Sequence, residues 1–264
     1  MWFKNITGFM AAATVALGAT GTAATVAPSA AAQASVSVTR NPVPNITGVW
    51  ERYPSPFEDG GAGFDDIPPP RPGPDLKEPY ATEWKAQRAK RKAAMESGHP
   101  LVDPSTLCLP EGTPTIMQAI YPIQILQNPG QITVLAELFM QTRRIYLDTP
   151  FPAPDDLEPT FYGFSSAHWE GDTLIVKTRG VKENVQFFEI PHSDQMTVTE
   201  RYRLTGPDML RGDFSIEDPA YLKSPYRWTW IYKRNHKYRI PEYVCDHSLE
   251  KVNPDGTVSF EGAN

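Results

Sequence analysis

Glu200 is the acidic residue whose position in this sequence most clearly suggests chemistry. It lies in the run from Met196 to Leu204, where apolar and polar residues alternate as in a β-strand with one buried face. The alternation puts Glu200 on the apolar face, two residues before Tyr202. An isolated charge in an apolar interior is very costly, so this carboxylate must be hydrogen-bonded, paired with a cation or protonated. The position predicts either a general acid or base or a structural ion pair.

Two histidines and one arginine could act together with Glu200. His168 precedes the turn at residues 170–172, and His192 comes shortly before the strand that carries Glu200. Neighbouring strands could bring either histidine near Glu200, and a His–Glu pair suits proton transfer, dehydration or isomerisation. Arg143 falls on the apolar face of its own strand, where it would be the counter-ion of Glu200 or an anchor for a ligand carboxylate. We expect Glu200, His192 and His168 to be catalytic if their side chains meet in one cavity.

A stripe of aromatic residues follows on a single predicted strand near the end of the chain. Every second position from 226 to 232 is a tyrosine or a tryptophan. Such a stripe is plain core in most proteins, but in a barrel with a cavity it would form a wall suited to a flat apolar ligand. The residues expected to bind a ligand are Arg143, Tyr202, Tyr226, Trp228 and Trp230.

The two cysteines predict a disulfide bond. Cys108 and Cys245 lie 137 residues apart (245 minus 108) without a Cys-x-x-Cys spacing, and an even number of cysteines in an oxidising compartment is typical of a structural bridge. Closing this loop would remove roughly 4 to 5 kcal/mol of unfolded-state entropy. A thiol nucleophile or a thiolate metal site would need several nearby His or Cys residues; the histidine closest to either cysteine is His247, two residues after Cys245, and we expect it to be a loop residue only.

Several classes of function are disfavoured by missing motifs and by the charge. The sequence contains no Gly-x-Ser-x-Gly elbow, no P-loop and no Gly-x-Gly-x-x-Gly after a strand. The net charge of −6 argues against nucleic acid and against an anionic membrane. The histidines lack the close spacing typical of metal sites. We therefore expect no cofactor, no metal and no nucleic-acid partner.

The elements that must position these residues are short strands separated by turns. Turn residues at 128–130, 170–172 and 206–208 supply the backbone angles that hairpins need. Nine or ten such strands with hardly any helix favour a closed antiparallel β-barrel, with a β-sandwich as the alternative, because an open sheet would leave edges to protect. Beyond the first strand, the strands are expected at 131–139, 143–147, 161–169, 173–178, 185–190, 196–204, 209–216, 226–233 and 240–245.

The part of the chain before the barrel has a different composition. Residues 35–78 contain a strand-like stretch at 45–50 and then an arm rich in proline and glycine, which cannot enter a helix or a sheet interior. Strong helix formers follow, and they predict a helix at 79–98. We expect the barrel core at 99–250 and a C-terminal tail at 251–264.

The first 34 residues are typical of a removable export signal. Lys4 supplies the positive start, residues 9–26 are almost wholly apolar or small, and Ala32-Gln33-Ala34 offers a small-x-small cleavage site. The apolar stretch is interrupted by glycine and threonine and lacks the ~20 strongly apolar residues that span a bilayer. We expect a periplasmic or secreted mature protein without stable membrane insertion.

Several motifs between residues 105 and 247 carry a resemblance. They are the run at 161–176, which contains Trp169-Glu170-Gly171-Asp172-Thr173-Leu174, and the motifs at 191–194, 199–203, 217–219 and 242–245. Together they resemble a family of exported bacterial proteins of unassigned function that share a Trp-Glu-Gly-Asp-Thr-Leu hairpin, which implies export but no activity. The Gly-x-Trp at Gly48 and Trp50 is similar to the first strand of lipocalin-type barrels, and it implies a calycin-like barrel.

These observations predict an exported β-barrel that binds a small aromatic or lipid-like molecule in its cavity. The alternative is a cofactor-independent acid–base enzyme, a lyase or an isomerase, that uses Glu200 with His192 or His168. A purely structural envelope protein would need no polar groups on its apolar faces, so Glu200 and Arg143 count against that third class.

Overall fold

Nine β-strands close into a barrel in the computed structural model, which describes residues 43–56, 68–102, 104–246, 248 and 250–260. The predicted mainly antiparallel β-barrel is confirmed. The β-sandwich alternative is wrong, because the last barrel strand pairs with the first and leaves a single closed sheet. The export signal expected at 1–34 lies outside the described residues.

The strands follow one another around the barrel in the order of the sequence. They are β1 (Gly48–Tyr53), β2 (Ile123–Asn128), β3 (Gln131–Ala136), β4 (Thr142–Leu147), β5 (Phe164–Glu170), β6 (Thr173–Arg179), β7 (Thr197–Gly206), β8 (Met209–Glu217) and β9 (Tyr226–Arg234). A separate two-stranded sheet joins β10 (Glu250–Val252) to β11 (Val258–Phe260).

One pair of neighbouring strands departs from the antiparallel pattern. β4 and β5 run parallel, with Ile145 opposite Ser165 and Leu147 opposite Ala167. Residues 148–163 carry the chain back along the barrel between them, as a parallel connection requires. The closed barrel is compatible with a lipocalin-like one, but this parallel pair is absent from a simple up-and-down meander.

The two ends of the barrel are built differently. At the hairpin end, two-residue turns join β2 to β3, β5 to β6, and β7 to β8. Longer connections leave the other end, which we call the loop-rich end. They are residues 54–122, 137–141, 180–196 and 218–225. Binding sites in β-barrels commonly lie at a mouth formed by long connections.

A short 3₁₀-helix, Thr115–Gln118, enters the barrel at the loop-rich end. Its Ile116 and Met117 are each only 1% exposed. The hydroxyl of Tyr232, on β9, donates a 2.6 Å hydrogen bond to the carbonyl of Met117. This segment, which we call the plug, therefore fills the mouth of the barrel.

One α-helix, α1 (Tyr80–Glu96), packs outside the barrel and lies within the predicted range 79–98. None of its residues is fully buried. Its Trp84 indole donates a 2.9 Å hydrogen bond to the carbonyl of Phe188 in the connection between β6 and β7. No helix in the described parts of the chain has both the length and the apolar character needed to cross a membrane.

Three strand predictions differ from the structure. Residues 185–190 and 240–245 form no strand, and β2 was not among the expected strands although its residues alternate. At 188 and 189 the backbone has positive φ angles of 52° and 56°, which turn the chain out of an extended path. β1 is part of the barrel itself, so the barrel draws one strand from the segment assigned to the N-terminal arm.

The predicted disulfide bond between Cys108 and Cys245 is confirmed, with the two Cα atoms 5.8 Å apart. It joins the connection that precedes the plug to the chain beyond β9. Both segments lie at the loop-rich end, so the bond fixes the surroundings of the barrel mouth.

Candidate functional site

Arg143 and Glu200 form an ion pair inside the barrel. Arg143 Nη1 donates to Glu200 Oε1 at 3.0 Å, and Nη2 donates to Oε2 at 2.5 Å. Both side chains have zero exposure, because β4 and β7 turn these two residues inward. Such a bidentate pair satisfies both charges at once.

Three hydroxyl groups complete this buried cluster. Arg143 Nη2 also donates to Ser165 Oγ at 3.2 Å and to Thr178 Oγ1 at 3.0 Å. The Tyr202 hydroxyl donates to Glu200 Oε1 at 3.0 Å. Burial is the largest single effect on the pKa of Arg143 and lowers it, but the charges of Glu200 and Tyr202 and their hydrogen bonds together outweigh burial and raise the pKa. Burial, and then the negative charge of Glu200, hold the pKa of Tyr202 well above its usual value.

His168 lies on the outside of the barrel wall. Its side chain is half exposed, and Nε2 is 3.1 Å from Glu170 Oε1. Arg201 binds the other oxygen of Glu170 at 3.1 Å, so these three residues form a surface cluster. The expected meeting of His168 with Glu200 does not occur, because successive side chains on a strand point to opposite faces.

His192 is 5% exposed, but it lies in a different environment from Glu200. Its Nε2 is 2.8 Å from the carbonyl oxygen of Val185, and its Nδ1 is 3.1 Å from that of Ser193. It lines a small cavity together with Asp218. Among the hydrogen bonds of the described residues, the side-chain partners of Glu200 are Arg143 and Tyr202. The structure therefore places neither histidine in a pair with Glu200.

The aromatic stripe is packed against other rings. Phe214 stacks on Trp228 with centroids 5.2 Å apart, and Phe187 stacks on the same indole at 4.7 Å. Tyr226, Trp228 and Trp230 are each at most 6% exposed. A ligand could reach these rings only if part of this packing opened. Their predicted role in binding stays a prediction.

The guanidinium group of Arg52 lies at the barrel mouth against an aromatic ring. Arg52, on β1, lies 4.4 Å from the centre of the Trp230 ring and donates a 3.1 Å hydrogen bond to the carbonyl of Gln118 in the plug. Burial lowers the pKa of Arg52 to about 10. The contacts of Arg52 and Tyr232 thus fasten the plug to opposite sides of the seam between β1 and β9.

A groove of about 550 Å³ lies outside the plug at the loop-rich end. Its walls come from α1, from the plug and the chain on both sides of it, from the connections between β3 and β4, between β4 and β5, and between β6 and β7, and from the segment after β9. Its larger apolar and aromatic side chains include Leu101, Leu109, Tyr121, Phe139, Phe188 and Tyr243. This size and lining are those of small-molecule sites, which hold roughly 300 to 1,000 Å³.

Charged residues fix one wall of this groove. Glu189 accepts from Arg88 Nη1 at 2.6 Å and lies 2.7 Å from Arg91 Nε, so a single carboxylate joins two cations of α1. On another wall, Glu111 accepts a 3.2 Å hydrogen bond from Gln141. In the described residues, no group of three or more His, Cys, Asp and Glu side chains is placed to hold a metal ion.

Backbone strain is concentrated around the groove. Seven non-glycine residues of the described chain have positive φ angles. All except Asp148 line the groove or lie next to a lining residue; they are Cys108, Ala119, Phe139, Met140, Phe188 and Glu189. Left-handed conformations cost about 1 kcal/mol or more per residue and cluster at binding sites. Sequence reasoning missed the groove, because its residues come from separate segments without a shared period.

Comparisons of the chain with protein-family models, with curated proteins and with solved structures gave no match. The likeness to exported proteins with a Trp-Glu-Gly-Asp-Thr-Leu hairpin therefore stays a resemblance. In the structure this motif forms the tight turn between β5 and β6, where Glu170 pairs with Thr173.

Proposed function

We propose that this protein binds a small, largely apolar or aromatic molecule in the groove at the loop-rich end. The observation that carries the proposal is the 550 Å³ groove with its aromatic lining. Strained backbone around the groove adds support, because such strain persists where the surrounding structure must hold a particular geometry.

The ligand would lie at the mouth of the barrel, outside the plug. The plug is buried at Ile116 and Met117, and the rings beneath it are at most 6% exposed. Tyr121, Phe139 and Phe188 offer the groove flat apolar faces, and such rings suit apolar or aromatic molecules.

We further propose that the protein works in an oxidising compartment, outside the cytoplasm. The bond between Cys108 and Cys245 supports this location, because such bridges are rare in reducing compartments. An acid–base reaction at Glu200 has less support, because the carboxylate is fully buried and already bound to Arg143 and Tyr202.

Two tyrosines provide a matched test of the groove. Tyr121 lines it and is 36% exposed, whereas Tyr53 on β1 is 45% exposed and is not part of its lining. Binding of the fluorescent dye 1-anilinonaphthalene-8-sulfonate should weaken about tenfold in Tyr121→Ser, because one aromatic wall is lost. It should be unchanged in Tyr53→Ser. If both variants bound the dye equally, or if the wild type did not bind it, the proposal would be contradicted.

Native mass spectrometry tests the same proposal without a dye. Protein purified from its own cells should carry a small molecule, and Tyr121→Ser should retain less of it than Tyr53→Ser. Repeated spectra of the bare chain would count against a resident ligand.

A further inference from the structure

The plug turns two polar residues towards the groove. Thr115 and Gln118 line the groove, whereas Ile116 and Met117, which lie between them, do not. Side chains three residues apart lie on the same side of a 3₁₀-helix. The plug therefore has an apolar side in the barrel and a polar side at the groove. We call Thr115 and Gln118 the floor of the groove.

Both floor residues have hydrogen-bonding groups that the described part of the protein leaves unused. The Thr115 hydroxyl is buried there without a hydrogen-bond partner. Gln118 is 6% exposed; its backbone carbonyl accepts from Arg52, but its side-chain amide forms no hydrogen bond among the described residues. Buried polar groups are paired in the great majority of cases, and a few polar groups fix the orientation of a ligand in an apolar site. The floor can supply such groups.

A carboxylate on another wall of the groove also lacks a partner. Glu250 begins β10 and lines the groove, and its Oε2 atom is buried without a hydrogen-bond partner among the described residues. An ionised carboxylate can only accept hydrogen bonds, so the missing partner must be a donor. Burying a charge without its counter-charge is costly. A positively charged donor would therefore stabilise Glu250 more than a neutral one.

The charged residues that line the groove leave it net negative. Among the described residues they comprise two guanidinium groups and four carboxylates, which belong to Arg88, Arg91, Glu111, Glu189, Asp246 and Glu250. Both arginines bind the same carboxylate, that of Glu189. The lining thus carries two more negative charges than positive ones, and a cleft lined by charges of one sign attracts molecules of the opposite sign.

Aromatic rings in the groove suit a cation as well as an apolar body. Phe139 and Tyr243 both line the groove, and they meet edge to face with their centroids 5.6 Å apart. The face of an aromatic ring attracts a cation that lies within about 6 Å of its centre. A molecule that combines a ring or an alkyl group with a positive charge would use both properties of this lining.

We propose that the ligand of the groove is a small aromatic or apolar amine that is positively charged at neutral pH. Glu250 accepts a hydrogen bond from its charged N–H group, the aromatic rings cover its apolar body, and Thr115 and Gln118 bind any further polar atom. This inference rests on the proposed function, because it names the chemical class that the same groove binds.

Tryptamine and tryptophol are matched probes for this charge. They share an indole ring and a two-carbon chain, which ends in a protonated amine in tryptamine and in a hydroxyl in tryptophol. Titration calorimetry of the wild type at pH 7 should show tryptamine bound about tenfold more tightly, as expected for a hydrogen bond between charged groups. The preference should disappear in Glu250→Gln. It should persist in Glu217→Gln, which removes an exposed carboxylate at the end of β8, outside the groove lining.

The dye used to test the proposed function should respond with the opposite sign. 1-Anilinonaphthalene-8-sulfonate is an anion that the apolar lining can still bind, and the charge of Glu250 repels it. Glu250→Gln should therefore bind this dye more tightly than the wild type does, whereas Glu217→Gln should bind it like the wild type.

The outcomes separate this inference from the proposed function. Equal affinity of the wild type for the two probes, no binding of tryptamine, or a preference that survives in Glu250→Gln overturns the amine. If the dye still binds in a way that depends on Tyr121, the proposed function stands without it; if the dye does not, both fail. Should Glu250→Gln fail to fold, NMR spectra of the wild type decide. Tryptamine should then shift the backbone amide signals of residues 115–118 and 250–252, and shifts confined to other residues contradict the inference.

Discussion

Arg143 and Glu200 meet through two parallel hydrogen bonds, and both lie on strands that turn them into the barrel where neither is exposed. With Tyr202 on one carboxylate oxygen, the pair has its main polar groups satisfied within the protein. The Nε atom of Arg143 is the exception, since it is buried without a hydrogen-bond partner among the described residues. Such geometry indicates a structural role, although removal of a partner remains the decisive test.

Removing one partner of this pair should destabilise the fold strongly. In Arg143→Met the carboxylate of Glu200 would stay buried without its cation, and the free energy of unfolding should fall by about 3 to 5 kcal/mol. The double variant Arg143→Met/Glu200→Leu should lose much less, because no unpaired charge remains. Urea unfolding of both variants measures the difference.

The neighbouring Arg144 offers a control for these two variants. It is exposed on the outer face of the same strand, so Arg144→Met should change the free energy of unfolding by about 0.5 kcal/mol or less. If Arg143→Met is as mild as Arg144→Met while the groove no longer binds dye, Arg143 serves the ligand instead of the fold.

The disulfide bond should stabilise the whole protein through its long loop. It closes 137 residues, so Cys108→Ser/Cys245→Ser should lower the free energy of unfolding by roughly 4 to 5 kcal/mol on the chain-entropy model. Guanidinium unfolding of this variant and of the wild type, each without reductant, tests the value. Wild type treated with reductant should match the variant, and a variant as stable as the oxidised wild type would contradict the entropic account.

Buried tyrosines should make the protein sensitive to alkali. Burial, and then the negative charge of Glu111, raise the pKa of Tyr162 to about 12, whereas an unfolded tyrosine ionises near about 10. The native state therefore holds this proton more tightly. The contribution of Tyr162 to the free energy of unfolding is therefore complete below about pH 10, and it is lost as the pH rises towards 12.

Urea unfolding at pH 9, 10 and 11 tests this dependence. The free energy of unfolding of the wild type should fall across the series, and it should fall less steeply in Tyr162→Phe. Burial also raises the pKa values of Tyr202 and Tyr226, so the free energy of unfolding of Tyr162→Phe should still depend on pH. The matched change Tyr53→Phe affects an exposed ring, and a slope altered equally by both changes would refute the role of Tyr162.

The alternation of apolar and polar residues along the strands predicted the barrel, because inward-facing side chains are shielded from water and outward-facing side chains are not. It could not predict the parallel β4–β5 pair, since alternation is the same for either strand direction. The alternation also did not predict that the side chain of His168 lies on the outer face of β5. In the structure the small Ser165 and Ala167 are the inward-facing residues of β5, and Ser165 Oγ accepts a hydrogen bond from Arg143, so His168 faces outward.

The site was less predictable than the fold. The even number of cysteines predicted the disulfide bond, which the structure confirms. The inward positions of Glu200 and Arg143 suggested their ion pair as one of two alternatives, and the structure shows that pair. The groove depends on how several separate segments of the chain meet. The connection between β6 and β7 alternates like a strand in sequence, but Phe188 and Glu189 have positive φ angles. Both residues also contact α1, through Trp84, Arg88 and Arg91.

The seam between β1 and β9 joins strands from opposite ends of the barrel sequence, with Trp50 opposite Arg234. Forming it closes a very long loop, so it should be among the slower steps of folding. A chain that stopped short of β9 would expose β1 and β8 as two unpaired sheet edges. Such edges pair readily with other chains, so truncated or still incomplete copies of this protein should be prone to aggregate until the last strand is in place.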